Sequence, residues 1–127
     1  MRKYKFRGKT PDRVQWVYGS LIILEDGDCL IKEIDYLRNI CPEYRVLPDT
    51  VGQFTGLLDA DGREIYEGDV IEVNRSDFIF HSVVFWYKSW YKSGFMHKGP
   101  GIFSDSFNNV TVLGNIHDNP SLLEETR

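Results

Sequence analysis

Carboxylates and histidines are the side chains of this sequence that could carry acid–base chemistry. Asp61, Asp69 and His117 are the candidates, because acids are dense between residues 59 and 72. A hydrolase would need two carboxyls within about 5–9 Å of each other in a cleft. The sequence nominates no nucleophile beside these groups and contains no phosphate-binding or nucleophile-elbow motif. An enzyme is therefore the weaker hypothesis, and we assign no catalytic residue.

Metal binding is not favoured by the spacing of the potential ligands. No pair of histidines or cysteines stands at a chelating spacing such as C-x-x-C or H-x-x-x-H. The loop at residues 59–64 superficially resembles a calcium loop, but its glycine is misplaced and no helices flank it. We therefore predict neither a metal nor any other cofactor.

An aromatic and basic stretch offers the clearest binding chemistry. If residues 83–92 form an extended strand, alternation places five residues on one face: Val84, Trp86, Lys88, Trp90 and Lys92. Indoles interleaved with ammonium groups suit a protein interface, and they also suit the stacking of nucleic-acid bases. Packing in the core or at a sheet edge is the structural alternative. The opposite face is predicted to be the core face: Val83, Phe85, Tyr87, Ser89, Tyr91.

Two further basic elements complete the candidate binding surfaces. Residues 94–101 are predicted to form a mobile surface loop, whose Lys98 would extend the tryptophan surface. In the first strand, a period of two places four cations on an outward face: Lys3, Lys5, Arg7, Lys9. These cations are candidates for phosphate contacts, although charge on an edge strand also prevents edge-to-edge aggregation.

Composition restricts the class of protein. The 127 residues include 15 basic and 19 acidic side chains, for a net charge of −4, and 42% are hydrophobic. This hydrophobic fraction suffices for a core and excludes intrinsic disorder as the main state. We predict no membrane span and no signal peptide, because no apolar run is long enough and none follows the basic start. Free Cys29 and Cys41 fit the cytoplasm, since two thiols form no disulfide framework.

Most of the chain has the pattern of short strands separated by glycine and aspartate turns. The Asp-Gly step at residues 26–27 predicts a hairpin, and Gly62 stands at a second reversal. Apolar side chains at helical spacing predict one or two helical turns in residues 35–43, and residues 119–120 are typical of a short helix start. The pattern predicts a mainly β protein built as a small barrel or sandwich.

Three segments of the sequence carry a family pattern. The central one is Val51-Gly-Gln-Phe-Thr-Gly-Leu57 followed by Asp61-Gly-Arg-Glu-Ile-Tyr-Glu-Gly-Asp-Val-Ile71. The outer ones are Lys5-Phe6-Arg7-Gly8 and Val112-Leu-Gly-Asn-Ile-His-Asp-Asn-Pro120. Together they resemble the YopX family of phage and prophage proteins. The resemblance implies a mainly β protein with an SH3-like barrel in its C-terminal part, and it implies no established activity.

We therefore predict a non-catalytic binding module of phage or prophage origin. An N-terminal β-hairpin region should cover residues 1–50 and the SH3-like barrel residues 51–127, with few short helical turns, either as two parts or as one compact unit. A protein partner or a second copy of the chain would be bound by Trp86, Lys88, Trp90, Lys92 and Lys98. Nucleic acid is the alternative partner. We infer no membrane and no small-molecule substrate.

Overall fold

The computed structural model describes residues 4–12, 15–76, 78–88, 93–99, 102–104 and 106–125. They form eleven strands: β1 (Phe6–Lys9), β2 (Trp16–Ile23), β3 (Cys29–Lys32), β4 (Glu43–Val46), β5 (Gly52–Leu58), β6 (Glu64–Tyr66), β7 (Asp69–Asn74), β8 (Ile79–Lys88), β9 (Ser93–Gly99), β10 (Ile102–Ser104) and β11 (Val110–Asn115). Two 3₁₀ helices cover Pro48–Thr50 and Pro120–Glu125. The predicted mainly β class is confirmed. No helix within the described ranges has the length and apolar character that a membrane crossing requires.

The chain divides into two compact units, Met1–Phe54 and Thr55–Arg127. In the first unit the strands follow the order β4-β3-β2-β1-β5. Its core is a cluster of buried side chains: Val17, Cys29, Ile31, Val46. The backbone N–H of Leu47 donates to the carbonyl oxygen of Lys9, which ties the end of β4 to the end of β1. This part of the sheet therefore curves around its own apolar cluster.

Strand β2 changes its pairing partner at Gly19. Residues 16–19 pair with β1, whereas residues 20–23 pair with β3. The backbone of Gly19 lies directly against the carbonyl group of Lys32, with no space for a β-carbon. Glycine is required at this corner because any side chain would meet backbone atoms, which cannot rotate aside.

The second unit is built around β7, which pairs with β8 on one side and β11 on the other. Strands β9 and β10 extend this sheet beyond β8. Its core consists of the buried residues Ile65, Ile71, Val73, Phe80, Val84 and Val110. Asp59 fixes the turn after β5, because its Oδ1 accepts the N–H groups of Asp61 and Arg63 and its Oδ2 accepts the N–H of Val112. One carboxylate thus ties a tight turn to strand β11.

The turns predicted from glycine positions are confirmed. Gly27 and Gly62 have φ angles of 92° and 83° in the reversals that follow β2 and β5. The predicted helix start at residues 119–120 is present as a 3₁₀ helix, in which Leu122 donates its N–H to the carbonyl oxygen of Asn119.

Two segments differ from their predicted structure. Residues 93–99 form strand β9, paired with β8 from Val84–His97 to Lys88–Ser93, so the loop predicted at residues 94–101 is wrong over this range. Cross-strand pairing outweighs the local preference of its glycines. The helical turns predicted in residues 35–43 are also wrong. A bridge between Asp35 and Ile40 closes a turn there instead, because the Asp35 side chain accepts the backbone N–H groups that follow it.

The core face of β8 is the opposite of the predicted one. The strand begins at Ile79, and its buried residues are even-numbered: Phe80, Ser82, Val84. Odd-numbered Val83, Phe85 and Tyr87 are only half-buried. Trp86 is on the same face of β8 as Val84, but it lies past the last buried residue of the strand and is exposed.

Candidate functional site

The first unit carries an open groove of about 700 Å³ beside the Gly19 corner. We call it the tyrosine groove, because its apolar walls are Tyr4, Tyr18, Ile34, Tyr36 and Leu37. Lys5, Lys32, Glu33 and Asp35 supply its charged groups. Concave sites with aromatic walls and a few polar groups are the usual places for ligand binding. The groove is therefore the candidate functional site of this unit.

A fixed turn forms one wall of the tyrosine groove. Tyr36 is 85% exposed and Leu37 is 99% exposed, so both side chains lie almost fully in solvent. Asp35 holds the turn, because its Oδ1 accepts the N–H groups of Leu37 and Arg38, and its Oδ2 accepts the Nε–H of Arg38 at 2.8 Å. The bond from the Arg38 side chain is the main cause that holds the pKa of Asp35 below its ordinary value. A tyrosine and a leucine are thus displayed on a turn whose backbone is ordered in advance.

The acids of the tyrosine groove are engaged within the fold. Glu33 Oε2 accepts the backbone N–H of Tyr18 at 3.1 Å, and Asp35 binds its own turn. Lys32 Nζ lies 3.9 Å from Glu43, with both side chains partly exposed, and such a pair contributes little to stability. Lys5 Nζ lies 5.9 Å from the centre of the Tyr18 ring. The groove therefore presents lysine charge beside its aromatic walls.

The basic first strand is not an outward row of cations. Arg7 is 6% exposed, and its guanidinium carbon lies 4.7 Å from the centre of the Trp16 ring. Lys9 Nζ lies 5.7 Å from the same ring. The prediction of an outward cationic face is wrong at Arg7, because its contact with the indole covers both groups. Lys5 and Lys9 are half-buried, and Lys3 lies outside the described residues.

The predicted tryptophan surface is described only in part. Trp86 and Lys88 lie on the same face of β8, and Trp86 is 44% exposed. The Trp86 ring packs edge-on against Phe95, with 4.8 Å between the ring centroids. Trp90 and Lys92 lie outside the described residues, so whether they extend this face stays a prediction.

Lys98 lies on the other face of the β8–β9 pair. His97 stands opposite Val84 in register and shares its face, which is also the face of Trp86. Successive residues of a strand point to opposite sides, so the side chain of Lys98 faces away from Trp86. The structure therefore brings Trp86 and Lys88 together but does not bring Lys98 to them.

The groups considered for hydrolysis stand in turns or at a strand end of the second unit, with Asp69 as the first residue of β7. Asp69 is buried, and its Oδ2 accepts the N–H of Tyr66 at 2.7 Å. Asp61 is exposed on its turn, and His117 is half-buried, with its backbone N–H bound to the side chain of Asn115. Within the described ranges, no cluster of three or more histidine, cysteine or acidic side chains is placed to hold a metal ion. Turn geometry accounts for the placement of Asp61 and His117, and Asp69 holds the reversal between β6 and β7 by accepting the N–H of Tyr66.

Nearly the whole chain matches one protein family. The family model described as YopX protein aligns with residues 5–124. The chain belongs to the YopX family. This range includes all three segments in which the sequence resembles the family, so the predicted relationship is confirmed. No curated protein matches this YopX chain.

A solved structure shares the fold of this YopX chain over nearly its whole length. It is the crystal structure of protein EF1440 from Enterococcus faecalis, with a TM-score of 0.62 and 19% sequence identity. The match covers 97% of this chain and 99% of that chain. Likeness at this identity shows a common fold and carries no function across.

The central YopX segment and the tyrosine groove are different parts of the molecule. The segment spans β5 to β7, and its Ile65, Val70 and Ile71 are fully buried. Sequence reasoning missed the groove, because the apolar residues around Leu37 stand at helical spacing. The available signal was Asn39, whose φ is 55°, since asparagine tolerates this conformation and is typical of turns.

His97 is a buried histidine in the second unit of this YopX chain. Its ring lies 6.2 Å from Phe80 and 5.2 Å from Phe107 between centroids, and its Nε2 lies 2.7 Å from the carbonyl oxygen of Ser106. Burial is the main cause that lowers the pKa of His97 below its ordinary value of 6.5, and the charge of Arg75 acts in the same direction. The folded state therefore favours neutral His97.

We expect acidification to destabilise the fold through His97, starting as the pH falls below 6.5. The unfolded chain then binds a proton at this residue while the folded chain does not, with a limit of about 1.4 kcal/mol per pH unit. Above that pH both states are neutral and the contribution is constant. The free energy of unfolding, measured with urea at pH 7.5 and 5.5, should differ less between the two pH values for His97→Gln than for the wild type. His117→Gln is the control. An unchanged difference in His97→Gln would exclude His97 as the source.

Proposed function

We propose that this chain is a non-catalytic binding module of phage or prophage origin whose tyrosine groove binds protein. The observation that supports it most is the turn that holds Tyr36 and Leu37 in solvent on a fixed backbone. Apolar side chains of this size stabilise a fold only when they are buried. Exposed aromatic and aliphatic groups on a fixed backbone are typical of interaction surfaces, because no backbone entropy has to be lost when they bind.

Protein is favoured over nucleic acid by the surroundings of the rings. Stacking of a base needs an aromatic face that a base can reach. The Trp16 ring already has the charged groups of Arg7 and Lys9 within 4.7 Å and 5.7 Å of its centre. At the tyrosine groove, two of the five apolar wall residues, Ile34 and Leu37, are aliphatic and offer no ring on which a base could stack.

Nucleic-acid binding is the second candidate function. It is favoured by one observation: the half-buried side chains of Lys5 and Lys9 stand beside the rings of Tyr18 and Trp16 across β1 and β2. A ligand on this face would lose affinity steeply with salt, because bound cations on the nucleic acid are released. A dry aromatic interface would respond weakly.

The remaining predictions for this chain are part of the same proposal. The exposed pair Trp86 and Lys88 is a further candidate surface for protein, now without Lys98 beside it. Cys29 and Cys41 are free thiols, which supports placement in the reducing cytoplasm. An SH3-like barrel in the second unit is supported by its short antiparallel strands and tight turns.

Affinity purification of the tagged chain from its host, with and without nuclease, tests the proposal. We expect the captured protein to survive nuclease and to be lost when Tyr36→Ser and Leu37→Ser are combined. Both residues are exposed, so the thermal midpoint should stay within a few degrees of the wild type. The identified protein is then purified and its affinity measured at two salt concentrations.

Ile79→Ser is the matched control, because Ile79 is also an exposed apolar residue, 52% accessible, but lies in the second unit. The Ile79→Ser chain should capture the same protein as the wild type does, in the same amount. Capture that survives the double substitution at the groove would refute the groove as the binding site. Loss of all captured material on nuclease treatment would instead favour the nucleic-acid candidate.

A further inference from the structure

We infer that the tyrosine groove of one copy receives the tip of the β2–β3 hairpin of a second copy, so that two chains pair about a two-fold axis. This inference rests on the proposed function and names the partner of that same groove. It follows from the chemistry of the hairpin tip, the charges of the groove, and the position of both on one hairpin.

The tip of the β2–β3 hairpin displays apolar and acidic side chains together. Ile23 is 67% exposed and Leu24 is 43% exposed, and the acidic residues Glu25 and Asp26 follow them in solvent. The tip is rigid, because Leu24 exchanges backbone hydrogen bonds with Gly27 and Asp28, and Asp26 Oδ1 accepts the N–H of Asp28. A segment with a preformed backbone binds with a smaller ordering cost.

The groove has the complementary chemistry. Its tyrosine and leucine walls match the two aliphatic side chains of the tip, and Lys5 matches its acids. The other charged groups of the groove have partners within the fold, because Lys32 lies near Glu43, Glu33 accepts the N–H of Tyr18, and Asp35 binds Arg38. Within the described residues the carboxylate of Glu25 has no ion pair or hydrogen bond, whereas Asp28 is paired with Arg45. Glu25 is therefore the acid available to a lysine of another copy, and opposite charges at the rim of an interface set its register.

A chain cannot place this tip in its own groove. Both lie on the same hairpin: the Ser20–Lys32 pair stands at the groove and the Ile23–Cys29 pair at the tip. At about 3.3 Å per residue, Ile23 at the end of β2 lies roughly 10 Å along the strand from Ser20, with the tip beyond it, and paired strands cannot fold back on themselves. The contact must therefore form between copies.

The placement of the two features also predicts how the copies pair. When groove and tip occupy opposite ends of one hairpin, two hairpins that lie side by side in opposite directions bring each tip to the other groove. Such an arrangement is self-complementary and closed, and it yields a two-fold dimer rather than a filament.

A charge-swap experiment on the full-length chain tests the inference by sedimentation velocity over a concentration series. The wild type should dimerise. Glu25→Lys and Lys5→Glu should each raise the dissociation constant about tenfold or more, because each places like charges opposite one another. The double variant restores opposite charges and should return to within about threefold of the wild type. Asp61→Lys is the control, with the same charge change on an exposed turn of the second unit, and should dimerise normally.

Each other outcome overturns the inference. A wild type that is monomeric throughout removes the second copy as occupant, and capture of another protein through Tyr36 and Leu37 would then leave the proposed function standing. A dimer that survives both single reversals uses a different surface. A double variant that remains as weak as the single ones shows that Glu25 and Lys5 do not meet, and an equal loss in Asp61→Lys shows a general charge effect.

Discussion

Replacing Asp59 with alanine should destabilise the second unit by about 4 kcal/mol, which is enough to unfold many small domains at 37 °C. Three backbone N–H groups, from Asp61, Arg63 and Val112, donate to this one carboxylate at 2.9 Å each. Hydrogen bonds to a charged acceptor contribute about 1.5–3 kcal/mol each, and donors left buried without an acceptor add a desolvation cost. Urea or thermal unfolding followed by circular dichroism would measure the loss.

Asp61→Ala is the control for this prediction, since its side chain is exposed on the same turn and should change stability by less than about 0.5 kcal/mol. Asp59→Asn should lie between the two. An amide oxygen can still accept two of the N–H groups, but the amide nitrogen cannot accept the third. An alanine variant that loses no more than about 1 kcal/mol would contradict the assignment of Asp59 as the link between turn and strand.

Asp59 should also cause a separate loss of stability in acid, because its pKa is lowered in the folded state. Burial acts to raise the pKa of Asp59, but the hydrogen bonds from Val112, Arg63 and Asp61, together with the charge of Arg63, outweigh it and hold the pKa below 3.8. The stabilisation is therefore complete above pH 3.8 and is lost as the pH falls through the lowered value. The pH at which the Asp59 contribution is lost lies below the pH range in which His97 acts. One series of unfolding measurements at different pH values therefore separates the two groups.

Turn chemistry is the part of this fold that the sequence predicts best. Gly27 and Gly62 adopt positive φ angles at the predicted reversals. Glycine adopts such angles without steric cost, so a reversal that needs a positive φ favours glycine, and this preference is visible in the sequence. The fixed turn at Tyr36 and Leu37 escaped prediction, although Asp35 and Asn39 carry its signals. Periodic apolar spacing in a short window cannot distinguish a helix from a turn that displays the same residues.

Contacts between paired strands were the part of the fold that the local sequence pattern could not supply. Arg7 alternates with apolar neighbours as an outward residue would, yet Trp16 covers it from the paired strand. Lys98 is near Trp86 in sequence but on the opposite face, because the register of β8 against β9 decides which residues share a side. Both outcomes depend on cross-strand pairing, which a single sequence specifies only through the complete fold.

The largest effect in the first unit should come from Gly19→Ala, with a loss of at least about 3 kcal/mol. A β-carbon at this position would collide with the carbonyl oxygen of Lys32, and it would lie only 2.9 Å from the carbonyl carbon and 3.3 Å from the Cα of Glu33. These are backbone atoms of the paired region, so no rotamer change relieves the contact. To relieve this strain, β2 must separate from β3 or the corner at Gly19 must open. Either change breaks hydrogen bonds between the strands.

Gly94→Ala is the matched control, because a β-carbon there has no heavy atom within 4 Å. Alanine reduces the entropy of the unfolded chain, so this variant should be neutral or more stable by about 0.5 kcal/mol. Chemical unfolding of both variants would make the comparison. Since the Gly19 corner also carries the tyrosine groove, any Gly19→Ala chain that remains folded should bind its partner more weakly, whereas Gly94→Ala should bind normally. Equal stability of the two variants would mean that β2 does not turn its corner at Gly19.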